Sequence, residues 1–339
     1  MVYGLLSQRI SQVWIAAAMF AIAWPLSPQE KSPVAPQQEK PPVTEQQSGS
    51  DFTIRADVEL VLLDVSVRDP KGGFVSGLDQ SAFTVLEDGK PQTITQFANQ
   101  DVPVTIGLVV DNSGSMRPKK AEVITAGLVL VQASNPKDET FVVTFNDKVR
   151  RGLPEIVPFT DDIQMLREAL SKDDPAGRTS LYDAMVTALA QIDMGRRDKK
   201  TLILVSDGGD NASTHTLHEV IKGVQSSQVT IYTIGLFDED DKDRNPDVLK
   251  NLANISGGVC FLPKKLSQVT DISRQIAKDI RTRYTIGYIP QHTEKAGARK
   301  IRVQVKSPTG EKLVARSRTE YLVGGRTGAS DRAAHGDSK

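Results

Sequence analysis

An apolar run at residues 104–110, Val-Thr-Ile-Gly-Leu-Val-Val, stops at the polar sequence Asp111-Asn112-Ser113-Gly114-Ser115. Its β-branched and aliphatic residues predict a strand buried on both faces, which is typical of a parallel sheet covered by helices. Open α/β sheets of this kind bind ligands at the carboxyl ends of their strands. The run therefore predicts an α/β fold with Asp111, Ser113 and Ser115 at the ligand-binding edge.

Two later segments supply further oxygen atoms. The sequence Gly177-Arg178-Thr179-Ser180 precedes a helical pattern, and the apolar run at 201–205 leads into Ser206-Asp207-Gly208-Gly209. If the two strands are parallel, Asp207 lies at the same edge as Asp111. Carboxylates and hydroxyls together suit a hard cation such as Mg²⁺. Ser, Asp and Gly after a strand are also ordinary turn residues, so the prediction depends on all three segments together.

These three segments resemble the metal-ion-dependent adhesion site (MIDAS) of the von Willebrand factor A (VWA) domain. The resemblance implies that Asp111, Ser113, Ser115, Thr179 and Asp207 hold Mg²⁺ or Mn²⁺. In that family the serines ligate the ion directly, whereas the threonine and aspartates ligate it directly or through water. One position stays free for a carboxylate of a partner. The resemblance therefore implies a protein partner that presents an exposed Asp or Glu.

Composition limits the other classes of partner and activity. The 339 residues carry 42 Lys and Arg against 42 Asp and Glu, so nothing indicates a nucleic-acid-binding protein. Cys260 is the only cysteine, which excludes an intramolecular disulfide, and its apolar neighbours predict a buried strand residue. No histidine, catalytic lysine or Gly-x-Ser-x-Gly motif accompanies the aspartates, so we do not expect an enzyme.

The amino-terminal sequence predicts export. Arg9 precedes an apolar core at 13–23, and Ala21-Ile22-Ala23 fits the small-x-small rule for cleavage. We expect a signal peptide at 1–23 and a periplasmic or secreted protein. The alternative is an inner-membrane anchor at 13–26, which would be the protein's contact with a membrane. That alternative is disfavoured because a membrane span takes about 20 apolar residues.

Composition and periodicity divide the rest of the chain. We expect a disordered Pro/Gln-rich linker at 24–51, a β-rich flank at 52–101, a VWA domain at 102–281, a second β-rich flank at 282–323 and a disordered tail at 324–339. The VWA region should form a doubly wound, mostly parallel, six-stranded sheet that is Rossmann-like. Each flank has too few strands to cover its own apolar face, so the two should pack as one small β-sandwich around the inserted domain.

Individual elements follow from the same patterns. Helical periodicity predicts helices at 121–133, from 181, at 217–226, at 248–255 and from 267. In the second flank, runs at 300–305 and 313–316 predict strands joined by a turn at 307–310.

The flanks carry a second resemblance. The sequence Phe83-Thr-Val-Leu-Glu-Asp-Gly stands before the VWA region and Tyr284-Thr-Ile-Gly-Tyr after it. With the leader, this order resembles a bacterial family known as VWFA-related domain proteins, common in acidobacterial genomes. The resemblance implies location and fold, but that family supplies no established activity.

Charged residues surround the predicted site. Arg117, Lys119, Lys120 and Arg178 predict a basic rim that would attract an acidic partner, although a solvated helix end is the alternative. The acidic run at 238–243 should lie at the same end of the sheet. It lacks the EF-hand glycine, so we interpret it as a solvated loop, with a self-ligand or Ca²⁺ site as alternatives.

Together these patterns favour an exported binding or adhesion module that captures an acidic side chain through the ion. One alternative is an envelope scaffold with a structural or vestigial metal site. Another is a metal-dependent phosphoesterase, in which Asp111 and Asp207 would support phosphoryl hydrolysis. Dependence of partner binding on divalent ions separates the first from the second, and turnover of phosphate esters identifies the third.

Overall fold

The structure, a computed structural model, describes residues 60–237, 243–290 and 297–323. The predicted signal peptide, linker and tail lie outside the described residues, as does most of the acidic run at 238–243. Within the described ranges, no helix is both long enough and apolar enough to cross a membrane.

A six-stranded sheet in the order β10-β9-β8-β5-β6-β7 forms the centre of the α/β region. Its strands are β5 (Val104–Asp111), β6 (Glu139–Phe145), β7 (Val149–Arg151), β8 (Lys199–Ser206), β9 (Thr230–Gly235) and β10 (Cys260–Phe261). All neighbours are parallel except β6 and β7. Residues of β5 and β6 are almost all buried, because helices cover both faces. The doubly wound, mostly parallel sheet is confirmed.

Six α-helices accompany this sheet in the described part of the chain. They are α1 (Lys120–Ala133), α2 (Ile163–Ser171), α3 (Leu181–Asp193), α4 (Leu217–Ser226), α5 (Pro246–Ser256) and α6 (Val269–Thr282). Helix α2 is not predicted from the sequence pattern. Its start carries a signal, since the Asp162 side chain accepts hydrogen bonds from the N–H groups of Gln164 and Met165.

Cys260 is half-buried rather than buried. It lies on β10, an edge strand of the sheet, so one side lacks a covering neighbour. Partial burial still raises the pKa of its thiol above the ordinary value. A protonated thiol is a poor nucleophile.

The flanking strands form two four-stranded antiparallel sheets, in the orders β13-β1-β11-β4 and β14-β12-β2-β3. The strands are β1 (Val61–Arg68), β2 (Phe83–Glu87), β3 (Lys90–Gln92), β4 (Ile94–Ala98), β11 (Tyr284–Tyr288), β12 (Gly297–Val305), β13 (Val314–Arg316) and β14 (Glu320–Val323). Each sheet mixes strands from both ends of the chain, and one apolar core joins the two sheets. The predicted packing of the flanks is confirmed. However, β12 and β13 lie in different sheets, so the turn at 307–310 does not close a hairpin.

A buried carboxylate joins the α/β region to these sheets. Asp279 on α6 is fully buried and accepts hydrogen bonds from the Ser66 hydroxyl on β1 at 2.5 Å and the Tyr232 hydroxyl on β9 at 2.7 Å. The guanidinium of Arg283 lies 3.5 Å from the same carboxylate and donates to the carbonyl of Gly257 at 2.7 Å. The Asp279 side chain thus links α6 to β1, to β9 and to the chain segment that follows α6.

We expect Asp279→Ala to lower the free energy of unfolding by about 3 to 5 kcal/mol, because the change leaves the buried Arg283 without its carboxylate. Urea denaturation measures the loss. Asp271→Ala on the same helix is the matched control, since Asp271 forms an exposed ion pair with Arg274. It should lose about 1 kcal/mol or less. Equal losses in the two variants would contradict the role of Asp279.

Candidate metal centre

Asp111 ends β5 and is deeply buried, at 2% exposure. One carboxylate oxygen, Oδ1, accepts the backbone N–H of Ser113 at 2.9 Å. The other, Oδ2, accepts the hydroxyl of Ser206 at 2.7 Å. Ser206 ends β8, so the neighbouring strand fixes the orientation of Asp111. Ser206 is not among the residues predicted from the sequence, although a hydroxyl at the end of an otherwise apolar strand marks it.

The hydroxyl groups of Ser113 and Ser115 connect this part of the site to Asp207. The Ser113 and Ser115 hydroxyl oxygens lie 3.1 Å apart, and the Ser115 hydroxyl donates to Asp207 Oδ2 at 2.9 Å. Asp207 Oδ1 accepts the N–H of Gly209 at 3.0 Å. The hydrogen bonds therefore run from the end of β5 to the end of β8. Four of the five residues predicted from the sequence lie in this one cluster.

Thr179 lies where three loops meet. We define the first loop as residues 112–119, the second as 172–180 and the third as 207–216. The N–H of Thr179 donates to Asn211 Oδ1 at 2.9 Å, and its carbonyl accepts the N–H of Asn211 at 3.0 Å. The N–H of Gly114 donates to the carbonyl of Gly177 at 3.1 Å, which joins the first loop to the second. The fifth predicted residue is thus held by the same loops as the other four.

Two glycines are required for this loop geometry. Gly208 has φ of +79°, and a Cβ there would lie 2.2 Å from the carbonyl oxygen of Asn245. Gly177 has φ of +80°, and a Cβ there would overlap the carboxylate of Asp147 at 1.8 Å. At Gly208 a side chain would collide with backbone next to Asp207, whereas at Gly177 it would collide with the Asp147 side chain. The positive φ at both positions also favours glycine.

Burial raises the pKa of Asp111 to about 6, and the negative charge of Asp207 acts in the same direction. Hydrogen bonds from Ser113 and Ser206 oppose the shift without cancelling it. Two carboxylates held in one buried cluster repel each other, so a proton or a cation near them is stabilising. The cluster is therefore electrostatically suited to a positive ion.

The donor atoms fit a hard divalent cation. They comprise two carboxylates and three hydroxyls, with no imidazole or thiolate among the predicted residues. Across the described ranges, no group of three or more His, Cys, Asp and Glu side chains is arranged to hold a metal. An ion at this cluster would therefore take its remaining ligands from hydroxyls, water or a partner. The assignment of the five residues as metal ligands stays a prediction.

The prediction of a basic rim is wrong for Lys119. That side chain is only 2% exposed, and its ammonium group donates to the carbonyl of Leu236 at 2.8 Å. Two other rim cations are paired with carboxylates, Lys120 with Asp174 at 3.4 Å and Arg178 with Asp147 at 2.9 Å. The rim therefore carries much less net positive charge than its sequence indicates. Arg117 remains exposed.

Asp243, the last residue of the acidic run, accepts a hydrogen bond from the side chain of Asn211 in the third loop at 3.0 Å. This end of the run therefore lies at the same end of the sheet as the candidate centre. The N–H of Asn245 donates to the carbonyl of Asp207 at 3.0 Å, which fixes the chain that follows.

We expect metal binding to weaken as pH falls below about 6. The pKa of Asp111 in the folded protein, about 6, lies above its ordinary value of 3.8. The contribution of Asp111 to the stability of the metal-free protein is therefore present at low pH and is lost as pH rises through about 6. A cation offsets that loss, so Mg²⁺ should raise Tm more at about pH 7.5 than at about pH 5.

Differential scanning calorimetry with and without Mg²⁺ at the two pH values measures this difference. Asp111→Asn is the matched control, because it keeps the shape of the side chain and removes the titrating group. It should show little Mg²⁺ effect at either pH. An equal gain in Tm at both pH values in the unaltered protein would contradict the prediction.

Comparisons with known proteins agree with this topology. A family model, the von Willebrand factor type A domain, matches residues 105–275. Among solved structures, von Willebrand factor type A from Catenulispora acidiphila is 13% identical, with a TM-score of 0.48 and coverage of 79% of this chain and 74% of that chain. A comparison with curated protein sequences gave no match.

Two further structures are similar over part of this chain. The vWF domain of the type V pili tip protein Mfa5 from Porphyromonas gingivalis is 16% identical, with a TM-score of 0.45 and coverage of 54% of this chain and 96% of that chain. Proximal thread matrix protein 1 from the mussel byssus, with a zinc-occupied MIDAS motif, is 17% identical, with a TM-score of 0.46 and coverage of 57% and 49%. All these TM-scores lie below 0.5, so the assignment depends on the match of the family model. By that match, this chain belongs to the von Willebrand factor type A domain family.

Proposed function

We propose that this protein is an exported binding module that captures an acidic side chain of a protein partner through a divalent ion. The ion, Mg²⁺ or Mn²⁺, would be held by Asp111, Ser113, Ser115, Thr179 and Asp207. The observation that carries the proposal is the hydrogen-bonded cluster of carboxylates and hydroxyls at the carboxyl ends of β5 and β8. VWA domains generally mediate protein–protein binding, which supports a non-catalytic role.

The surface above the cluster supports access by a partner. Asp111, Ser113 and Asp207 are buried, whereas Ser115 is half-buried and Gly114 and Gly177 are exposed. The two glycines carry no side chain that would cover the cluster. A partner side chain could therefore reach an ion held there from solvent.

The charge of the donor set supports an acidic ligand. Three of the five proposed ligands are neutral hydroxyls, so a divalent ion would keep part of its positive charge. A partly desolvated cation attracts an anionic oxygen more strongly than a neutral one. We infer that the partner presents an exposed Asp or Glu.

We also propose export to the periplasm or beyond the cell, as the leader sequence at 1–23 indicates. The flank motifs Phe83-Thr-Val-Leu-Glu-Asp-Gly and Tyr284-Thr-Ile-Gly-Tyr support membership of the bacterial VWFA-related group. They form β2 and β11, which lie in the two sheets built from both flanks.

Metal binding is the first test. We expect calorimetry to detect Mg²⁺ or Mn²⁺ binding, with no preference for Zn²⁺ because imidazole and thiolate ligands are missing from the donor set. Asp111→Ala should abolish binding, because it removes a carboxylate ligand. Asp174→Ala is the matched control, since the Asp174 side chain is fully exposed in the second loop. Absence of Mg²⁺ and Mn²⁺ binding at millimolar ion would overturn the metal assignment.

Ligand chemistry is the second test. We expect the peptide Ac-Gly-Asp-Gly-NH₂ to shift NMR signals of the loop residues in the presence of Mg²⁺. The Asn counterpart, Ac-Gly-Asn-Gly-NH₂, should bind much more weakly because its amide oxygen is neutral. EDTA and Thr179→Ala should each reduce binding of the Asp peptide without unfolding the protein. Equal binding with and without EDTA would favour a scaffold that uses another surface.

A further inference from the structure

We propose that Arg117 forms a second contact for an anion beside the metal cluster, so that the preferred partner presents two acidic side chains rather than one. The inference rests on the proposed function, because Arg117 is argued to act on a partner that already has one carboxylate on the ion. A partner segment with two acidic side chains is therefore the kind that this site selects.

Arg117 lies close to the cluster and is held in place. It follows Ser115 by two residues in the 3₁₀ helix Gly114–Lys119 and is exposed. Its Nε and one terminal nitrogen donate to the carbonyl of Pro175 at 3.3 and 3.2 Å. Pro175 is buried in the second loop, so the acceptor is fixed. A guanidinium held by two N–H groups loses little side-chain entropy when it binds an anion.

Four other cations near the cluster have carboxylate or carbonyl partners. Lys119 is buried against the carbonyl of Leu236, and Arg150 lies 3.8 Å from Asp173. Lys120 and Arg178 form the ion pairs described above. No carboxylate among the described residues forms an ion pair with Arg117. Its positive charge is therefore available to a carboxylate from a partner.

Residues with small side chains line the surface between Arg117 and the cluster. Gly114, Ala176 and Gly177 are exposed there and have the smallest side chains, so a peptide backbone can lie across them. Ser115 and Arg117 lie two residues apart on the same short 3₁₀ helix, so their Cα atoms are less than about 7 Å apart. In an extended peptide, side chains on one face repeat at about 7 Å. We therefore take an extended Asp-x-Asp or Glu-x-Glu segment, which carries two carboxylates close together on one face, as the partner.

The test compares peptides with one and two acidic residues at saturating Mg²⁺. The probes are Ac-Gly-Asp-Gly-Asn-Gly-NH₂, Ac-Gly-Asn-Gly-Asp-Gly-NH₂ and Ac-Gly-Asp-Gly-Asp-Gly-NH₂, titrated into the full chain and followed by NMR. We expect the peptide with two Asp residues to bind about three- to fivefold more tightly than either single-Asp peptide, as for an exposed ion pair. The gain should shrink at high salt, where charges are screened.

Variants identify the residue responsible. In Arg117→Gln the gain should disappear, apart from the advantage of offering two equivalent carboxylates to one ion, while Mg²⁺ binding and single-Asp affinity stay unchanged. Arg178→Gln is the matched control, because Arg178 is an exposed arginine already paired with Asp147. It should keep the ratio between the two-Asp and one-Asp affinities.

The outcomes separate the two proposals. If no single-Asp peptide binds in Mg²⁺, the proposed function fails and this inference fails with it. If the single-Asp peptides bind but the second Asp adds no more than the statistical advantage of two equivalent carboxylates, the role of Arg117 is overturned and the proposed function stands. The same conclusion follows if a gain above that statistical advantage persists in Arg117→Gln or is lost equally in Arg178→Gln.

Discussion

The candidate centre depends on the parallel register of β5 and β8. Val110 pairs with Val205, so Asp111 and Ser206 end their strands side by side and Asp207 follows immediately. Two carboxylates are thereby held together in a buried place, where their charges repel and burial is unfavourable to both. Hydrogen bonds from Ser113, Ser115 and Ser206 reduce this cost but leave the pKa of Asp111 raised. A cation would remove the remaining repulsion.

The surrounding loops hold the two repelling carboxylates in place. Backbone hydrogen bonds join the first loop to the second and the second to the third, while Gly177 and Gly208 allow close packing. Away from the cluster, Asp279 and Arg283 fix α6 against strands of the α/β sheet and of the flanking sheets. The domain that carries the candidate centre and the sheets built from the flanks therefore share buried polar contacts as well as sequence continuity.

The sequence predicted the fold class and most elements because their patterns are local. Apolar runs marked β5 and β8, and helical periodicity marked five of the six helices in the described part. It missed α2, a short helix, although Asp162 before it is a residue type that caps helices. It also joined β12 and β13 in one hairpin, although each pairs with other strands in its own sheet.

The sequence by itself determined the order of the three loops, the identity of their oxygen-bearing residues and the glycines that allow the turns. These properties belong to short segments, in which spacing and residue type carry the information. The tertiary structure decided that Lys119 turns inward to Leu236, that Ser206 orients Asp111 and that Arg117 keeps a charge with no carboxylate partner among the described residues. Those outcomes depend on contacts between residues far apart in the chain, and local periodicity does not encode which distant groups will meet.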